Sequence, residues 1–286
     1  MTSPTVTQRS VGGVSLRVYE WAGDGPPLLF AHATSFPARI WDAVIERLPG
    51  RRMIAVDLRG HGQSSKHDPP YSWWQIGDDL AALAHAMGLR DAIGIGHSMG
   101  GHSVTLAAAR APQHFGGLVL VDPVIQPREE YGRHEERGAD VGGRRDEWAS
   151  PDEMYNSYHG RGPFATWDDR VLRDYCEWGL VRAPDGLDGY VLACPPHIEA
   201  SMYAASTASN IYNDLATIEA PVRLLRARDR GDDRSSFSGS ATAPDLASHF
   251  QHAQDFHFPD LSHFIPMEAP AMVAEHIAAM ADQVGG

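Results

Sequence analysis

The feature that most constrains this chain is a serine held between two glycines where a strand pattern gives way to a helix pattern. The run is Gly94-Ile95-Gly96-His97-Ser98-Met99-Gly100-Gly101. An apolar segment ending at Ile95 reads as a buried strand, and Val104, Leu106, Ala107, Ala108 and Ala109 read as a helix closed by Pro112. A turn this sharp puts Ser98 in a strained backbone conformation, and a Cβ at position 96 or 100 would collide with the neighbouring strand or helix. The serine hydroxyl is then presented beside the first N–H groups of a helix, where negative charge is favoured. A dinucleotide-binding turn is excluded: counted from Gly94 and Gly96, the Gly-x-Gly-x-x-Gly spacing needs a glycine where Met99 stands.

Strand and helix patterns alternate on either side of this turn. Val11 to Trp21 reads as an early strand on a sheet edge, and Gly23-Asp24-Gly25-Pro26-Pro27 as a turn. Leu28 to Ala31 is a buried strand leading into the loop His32-Ala33-Thr34-Ser35-Phe36, with a helix around Trp41 to Leu48. Met53 to Val56 is the next buried strand, and Ser72 to Met87 carries Ile76, Leu80, Leu83 and Met87 at helical spacing. Leu118 to Val121 is followed at once by Asp122-Pro123. This alternation predicts an α/β fold, a mostly parallel central sheet with helices on both faces. Reactive groups in such sheets lie at the carboxyl ends of the strands. His32, Asp57, Ser98 and Asp122 all fall there.

The pattern changes after Pro123. From about residue 127 to residue 213 it is helical and loop-like, and it holds seven of the nine tyrosines together with Trp148, Trp167 and Trp178. This stretch reads as an inserted helical cap that walls off a pocket and lends it aromatic surface, although any single ring is more simply explained as packing. Pro221 to Leu225 resumes the sheet, followed by a polar loop from Asp229 to Thr242 and a helix near Asp245 to His252. A short strand at Phe256 to Phe258 and a final helix from about Ala271 to Gln283 complete the chain. The expected division is a core of residues 1–126 and 214–286 with a cap of residues 127–213.

Composition narrows the function classes. With 286 residues, 43% of them hydrophobic, the chain can bury a sizeable core. A net charge of −13 argues against nucleic acid or an anionic membrane surface as partner. No apolar run approaches a membrane span, and the first ten residues lack the hydrophobic stretch of a signal peptide. The two cysteines, Cys176 and Cys194, show no metal-type spacing and read as reduced thiols, so the expected location is cytoplasmic. No His-Glu-x-x-His motif occurs, and no metal or other cofactor is expected.

Gly-x-Ser-x-Gly at a strand-to-helix turn is a nucleophile elbow. It is accompanied by His32-Ala33-Thr34, by Asp57-Leu58-Arg59-Gly60-His61-Gly62-Gln63-Ser64, and by Ser262-His263-Phe264 ahead of Met267-Glu268. With these pieces in this order, the chain resembles the serine-type α/β-hydrolases over nearly its full length. The resemblance implies Ser98 as nucleophile and His263 as general base. It implies two places for the third member. One is the turn after the strand that follows the cap, where Arg230 stands at the usual aspartate position and Asp229 lies one residue early, with Asp232 and Asp233 nearby. The other is the end of the strand after the nucleophile helix, where Asp122 stands. Asp122 is preferred, because the acid must be fixed and nearly buried to orient an imidazole.

The backbone N–H groups of Met99 and Thr34 are the implied oxyanion hole, with Ala33 in place of the family's usual glycine. His97 is expected to pack under the elbow, His32 and His61 to hold loops, and Asp57, Arg59 and Ser64 to be structural. The segment Leu192 to Ala200 is expected to place a residue in the pocket. These readings imply cleavage of a small-molecule carboxylic ester or lactone through an acyl-serine. Hydrolysis of a carbon–carbon bond in a diketone, and ligand binding without catalysis, are the alternatives. Chemistry that needs an aspartate nucleophile is excluded by the serine at position 98.

Overall fold

The computed structural model describes residues 3–132, 141–184, 188–231 and 237–286. The first half of the chain contributes six strands: β1 (Thr5–Val11), β2 (Val14–Trp21), β3 (Asp24–Ala31), β4 (Arg51–Asp57), β5 (Ala92–His97) and β6 (Phe115–Val121). Short strands β7 (Glu147–Trp148), β8 (Leu180–Arg182) and β9 (Tyr190–Leu192) follow, then β10 (Val222–Ala227) and β11 (Ala253–Phe258). The main sheet has eight strands in the order β1-β2-β4-β3-β5-β6-β10-β11. Pairing is parallel from β4 across to β11, and β1 and β2 add antiparallel strands at one edge.

The helices are α1 (Asp42–Ile45), α2 (Trp73–Ala86), α3 (Met99–Arg110), α4 (Pro151–Tyr158), α5 (Asp169–Trp178), α6 (Pro196–Ala205), α7 (Tyr212–Leu215), α8 (Ile265–Glu268) and α9 (Pro270–Gly285). Because side chains alternate along a strand, each central strand feeds two cores. Leu29, Ala31, Ile54 and Val56 pack with Ile76, Leu80 and Leu83 of α2 and with Val104 and Leu106 of α3. Leu28, Phe30, Met53 and Ala55 pack on the other face with Val44 and Ile45 of α1 and with Val273, Ile277 and Met280 of α9. The sheet is therefore covered on both sides, as the continuous apolar runs require.

Four local expectations need correction. The edge strand expected from Val11 to Trp21 is the second strand of a hairpin, turned at Gly12 and Gly13, both with positive φ. Thr5–Val11 takes the edge; its mostly exposed, polar face carries little hydrophobic signal. The turn expected at Gly23 to Pro27 contains the start of β3, with an irregular register against β4 between Asp24 and Leu28. The helix expected near Asp245 to His252 is a single 3-10 turn, Leu246–His249. The segment between β6 and β10 is not wholly helical: β7, β9 and β8 form a small antiparallel sheet whose strands are too short to show a period.

Candidate active site

Ser98 lies between β5 and α3 with φ of +56° and ψ of −120°, a conformation that L-residues rarely adopt. Its neighbours hold it there. Ser98 N–H donates to Val121 O at 3.1 Å, and its carbonyl accepts from Val124 N at 3.1 Å and His102 N at 3.2 Å. The flanking glycines are required by close approach. A Cβ on Gly96 would sit 2.3 Å from Gly100 O, and one on Gly100 would sit 2.2 Å from Ala31 O. Asp122, at the end of β6, is a second residue with positive φ (+41°), and its N–H donates to Leu225 O at 2.7 Å.

A hydrogen-bonded chain joins three of the predicted residues. His263 Nε2 lies 2.9 Å from Ser98 Oγ, and His263 Nδ1 lies 2.6 Å from Asp122 Oδ2. A carboxylate only accepts, so Nδ1 carries the proton and Nε2 is left as acceptor for the serine hydroxyl. All three are buried, Asp122 completely. Burial alone would raise the Asp122 pKa. The hydrogen bond and charge of His263, with donors from Ser240 and Ala227, outweigh it and hold the carboxyl below its ordinary value. Ser240 Oγ donates to Oδ1 at 2.5 Å and Ala227 N–H at 2.9 Å. The alternative acid, Asp229, is 69% exposed and lies beside Arg226 and His257 rather than His263. Asp232 and Asp233 lie outside the described residues.

The loop that carries His263 is fixed by neighbours that sequence reasoning assigned only loosely or not at all. His97 Nε2 donates to the His263 carbonyl at 2.8 Å. Burial, reinforced by the nearby His263, pushes the His97 pKa down to about 3, so this ring stays a neutral strut. Glu268 of α8 accepts from Ser262 N at 2.8 Å and from Ser262 Oγ at 2.6 Å. His32 Nε2 accepts from Leu58 N at 2.9 Å and His61 Nε2 from Ser35 N at 3.0 Å, so both hold loops. Asp57 accepts from Ala38 N and Gln63 N, Arg59 pairs with Asp79, and Ser64 Oγ accepts from Arg17 N.

Ser98 and His263 open onto a cavity of about 220 Å³. Ala33 and Thr34 line it beside them, and Thr34 Oγ1 reaches Met99 Sδ at 3.4 Å. Met99 opens α3, so its N–H belongs to the first-turn donors that have no intrahelical acceptor. Of the tyrosines in the segment between β6 and β10, Tyr158, Tyr175 and Tyr203 reach the cavity; the three tryptophans there do not line it. Glu199, on α6, is the lining residue supplied by the stretch from Leu192 to Ala200. Arg144 and Phe237 also line the cavity, and nothing in their local sequence pattern separates them from ordinary loop residues; Phe264, beside His263 in the Ser262-His263-Phe264 motif, lines it too. Cys176 and Cys194 are free, buried and outside this lining; burial pushes the Cys176 thiol up to about 12.

Residues 28–276 match the model of the alpha/beta hydrolase family. The chain belongs to that family. It has the family's fold, and the proteins it is similar to include an esterase and a lipase. It is 35% identical over 113 residues to 2-(acetamidomethylene)succinate hydrolase of Mesorhizobium japonicum, covering 39% of this chain and 40% of that one. It is 36% identical over 120 residues to an esterase of Mycobacterium tuberculosis, covering 42% and 39%. In sequence the chain thus spans about two-fifths of the length of these relatives. A lipase of Mycobacterium tuberculosis is 28% identical over 219 residues, covering 75% of this chain and 80% of the lipase. Among solved structures, an E-2-(acetamidomethylene)succinate hydrolase superposes with a TM-score of 0.78 at 23% identity, over 97% of this chain and 100% of that one. That likeness is one of fold. Among the described residues no helix is long and apolar enough to cross a membrane.

Proposed function

We propose that this hydrolase cleaves a small carboxylic ester or lactone through an acyl-Ser98 intermediate, with Ser98, His263 and Asp122 as its catalytic triad. The observation that carries this reading is the unbroken path from Asp122 Oδ2 through His263 to Ser98 Oγ, ending at a cavity. As Oγ attacks the carbonyl carbon, its proton passes to His263 Nε2, and Asp122 stabilises the imidazolium that forms. The N–H groups of Met99 and Thr34 receive the developing oxyanion. His263 then returns the proton to the leaving alkoxide. Water repeats the sequence on the acyl-enzyme, with His263 as base, and frees the acid. A lactone follows the same steps, except that its leaving hydroxyl stays attached to the acyl group.

The segment of residues 127–213 acts in this scheme as a cap. It contributes Arg144, Tyr158, Phe164, Tyr175, Glu199 and Tyr203 to the cavity wall and so restricts which acyl groups reach Ser98. The similar esterase and lipase favour ester chemistry. The test is hydrolysis of p-nitrophenyl esters of increasing acyl length, with Ser98→Ala as control. Turnover is expected for short acyl chains, falling off as the chain outgrows the cavity, and Ser98→Ala is expected to lose it. A Ser98→Ala protein that keeps a tenth of the wild-type rate would overturn the acyl-enzyme scheme.

A further inference from the structure

The Ser98 cavity also holds a polar cluster that takes no part in the proton relay. Arg144 Nη1 donates to Glu199 Oε2 at 2.8 Å, and Arg144 Nη2 donates to Tyr175 OH at 3.1 Å and to Tyr158 OH at 3.3 Å. Ser35 lines the same stretch of the cavity wall. All five residues line the cavity, and the Glu199 side chain is only 4% exposed. A carboxylate this deep is expensive to desolvate even with Arg144, 23% exposed, beside it, so packing gives no reason to choose the pair over two apolar residues. Helix α6 already docks on the core through Ile198 and Met202.

Among the described residues, the cluster is unsaturated toward the cavity. Both phenols accept from Arg144, so each keeps its own O–H proton for an acceptor. A guanidinium has five N–H donors, and three bonds do not exhaust them. The carboxylate of Glu199 has lone pairs beyond the one that Arg144 occupies. The site thus offers donors and an acceptor side by side. It is also electrically balanced, since the charge of Arg144 is met by Glu199. A second carboxylate would leave a net negative charge in a mostly aromatic cavity with Asp122 buried behind it.

We propose that Arg144, Glu199, Tyr158 and Tyr175 bind an uncharged substrate group that accepts and donates at adjacent atoms, of which a primary carboxamide is the simplest. The substrate class is then a short ester or lactone bearing such a group away from the scissile carbonyl. This deepens the serine-hydrolase reading and rests on it for the reaction, but not for the binding.

Three p-nitrophenyl esters of matched size separate the possibilities: the glutaramate, the apolar 5-methylhexanoate and the charged glutarate half-ester. Binding is measured by calorimetry to Ser98→Ala. The glutaramate ester is expected to bind at least about tenfold more tightly than the 5-methylhexanoate, because a site built to hydrogen-bond rejects an analogue that cannot. Adding Arg144→Met and Glu199→Met together removes both charges and is expected to bring the ratio to about one. Tyr175→Phe in the same background keeps the ring and is expected to lower the ratio at least about threefold. A glutaramate preference below about threefold, or a Tyr175→Phe protein with an unchanged ratio, overturns the proposal. Tighter binding of the half-ester overturns it too and makes the cluster an anion site. Turnover by the wild-type enzyme reports separately on the reaction: a binding preference without hydrolysis sinks the esterase reading and sustains this one, and hydrolysis without a preference does the reverse.

Discussion

Replacing Asp122 by asparagine is nearly isosteric, and the structure dictates which way the new amide must face. Oδ1 of Asp122 accepts from Ala227 N–H at 2.9 Å and from Ser240 Oγ at 2.5 Å, with Thr242 Oγ1 at 3.5 Å. Those donors keep an oxygen on their side, so the amide nitrogen is turned toward His263. The group that meets His263 Nδ1 at 2.6 Å then changes from an acceptor to a donor. His263 responds by moving its proton to Nε2, the atom that in the proposed relay must be empty to take the Ser98 proton. Asp122→Asn should therefore lower kcat by about 10⁴, roughly 5 kcal/mol of transition-state stabilisation, as for other triads held in the wrong tautomer. KM should move little, because Asp122 is wholly buried and does not line the cavity.

The assay is steady-state hydrolysis of p-nitrophenyl butyrate near pH 7.5, with thermal unfolding to confirm that the variant is folded. Asp229→Asn, at a residue 69% exposed, serves as the comparison and should stay within about threefold of wild type, as most exposed substitutions do. A folded Asp122→Asn protein within tenfold of wild type would refute the tautomer argument. A large loss in Asp229→Asn instead would move the acid to the other side of β10.

Gly100→Ala puts a Cβ 2.2 Å from Ala31 O and 2.6 Å from His32 O, both backbone atoms that cannot step aside. A loss of about 3 kcal/mol, or at least about 6 °C in Tm, is expected by calorimetry or thermal unfolding, and an unchanged Tm would show that the elbow is looser than drawn. His102 is pushed down to about 4 by burial, against the opposing effect of its bond to Ser209 O, from an ordinary value of 6.5. The unfolded chain therefore binds a proton that the folded chain refuses between those values, so this histidine costs stability as pH falls from 6.5 toward 4, by about 1.4 kcal/mol per pH unit. In urea unfolding across that window, His102→Gln should show a shallower acid slope by that amount, and parallel slopes would contradict a neutral buried ring.

Much of the main sheet was legible because buried parallel strands are continuous apolar runs, and Leu28 to Ala31, Met53 to Val56 and Leu118 to Val121 are unambiguous. The edge strand Thr5–Val11 was not, since solvent on most of its residues removes the hydrophobic period. The elbow could be read from Gly96, Ser98 and Gly100, whose spacing expresses a steric demand that the close contacts with Gly100 O and Ala31 O make concrete. The cavity wall could not be read in the same way. Arg144, Glu199, Tyr175 and Phe237 are far apart in sequence, and only the folding of the segment between β6 and β10 against the connection after β10 brings them together. The two candidate acids were separable only in part: both follow a strand of the parallel sheet, and what distinguishes Asp122 is the set of donors from Ala227 and Ser240 that lock its carboxylate toward His263.

The central claim is that Ser98 is a nucleophile activated by His263. The most direct measurement is intact-protein mass spectrometry after exposure to a small alkyl fluorophosphonate, with the modified peptide mapped. One adduct on Ser98 is expected, none in Ser98→Ala, and a labelling rate that collapses in His263→Ala. No adduct on folded wild-type protein, or an adduct that persists at the wild-type rate without His263, would contradict it.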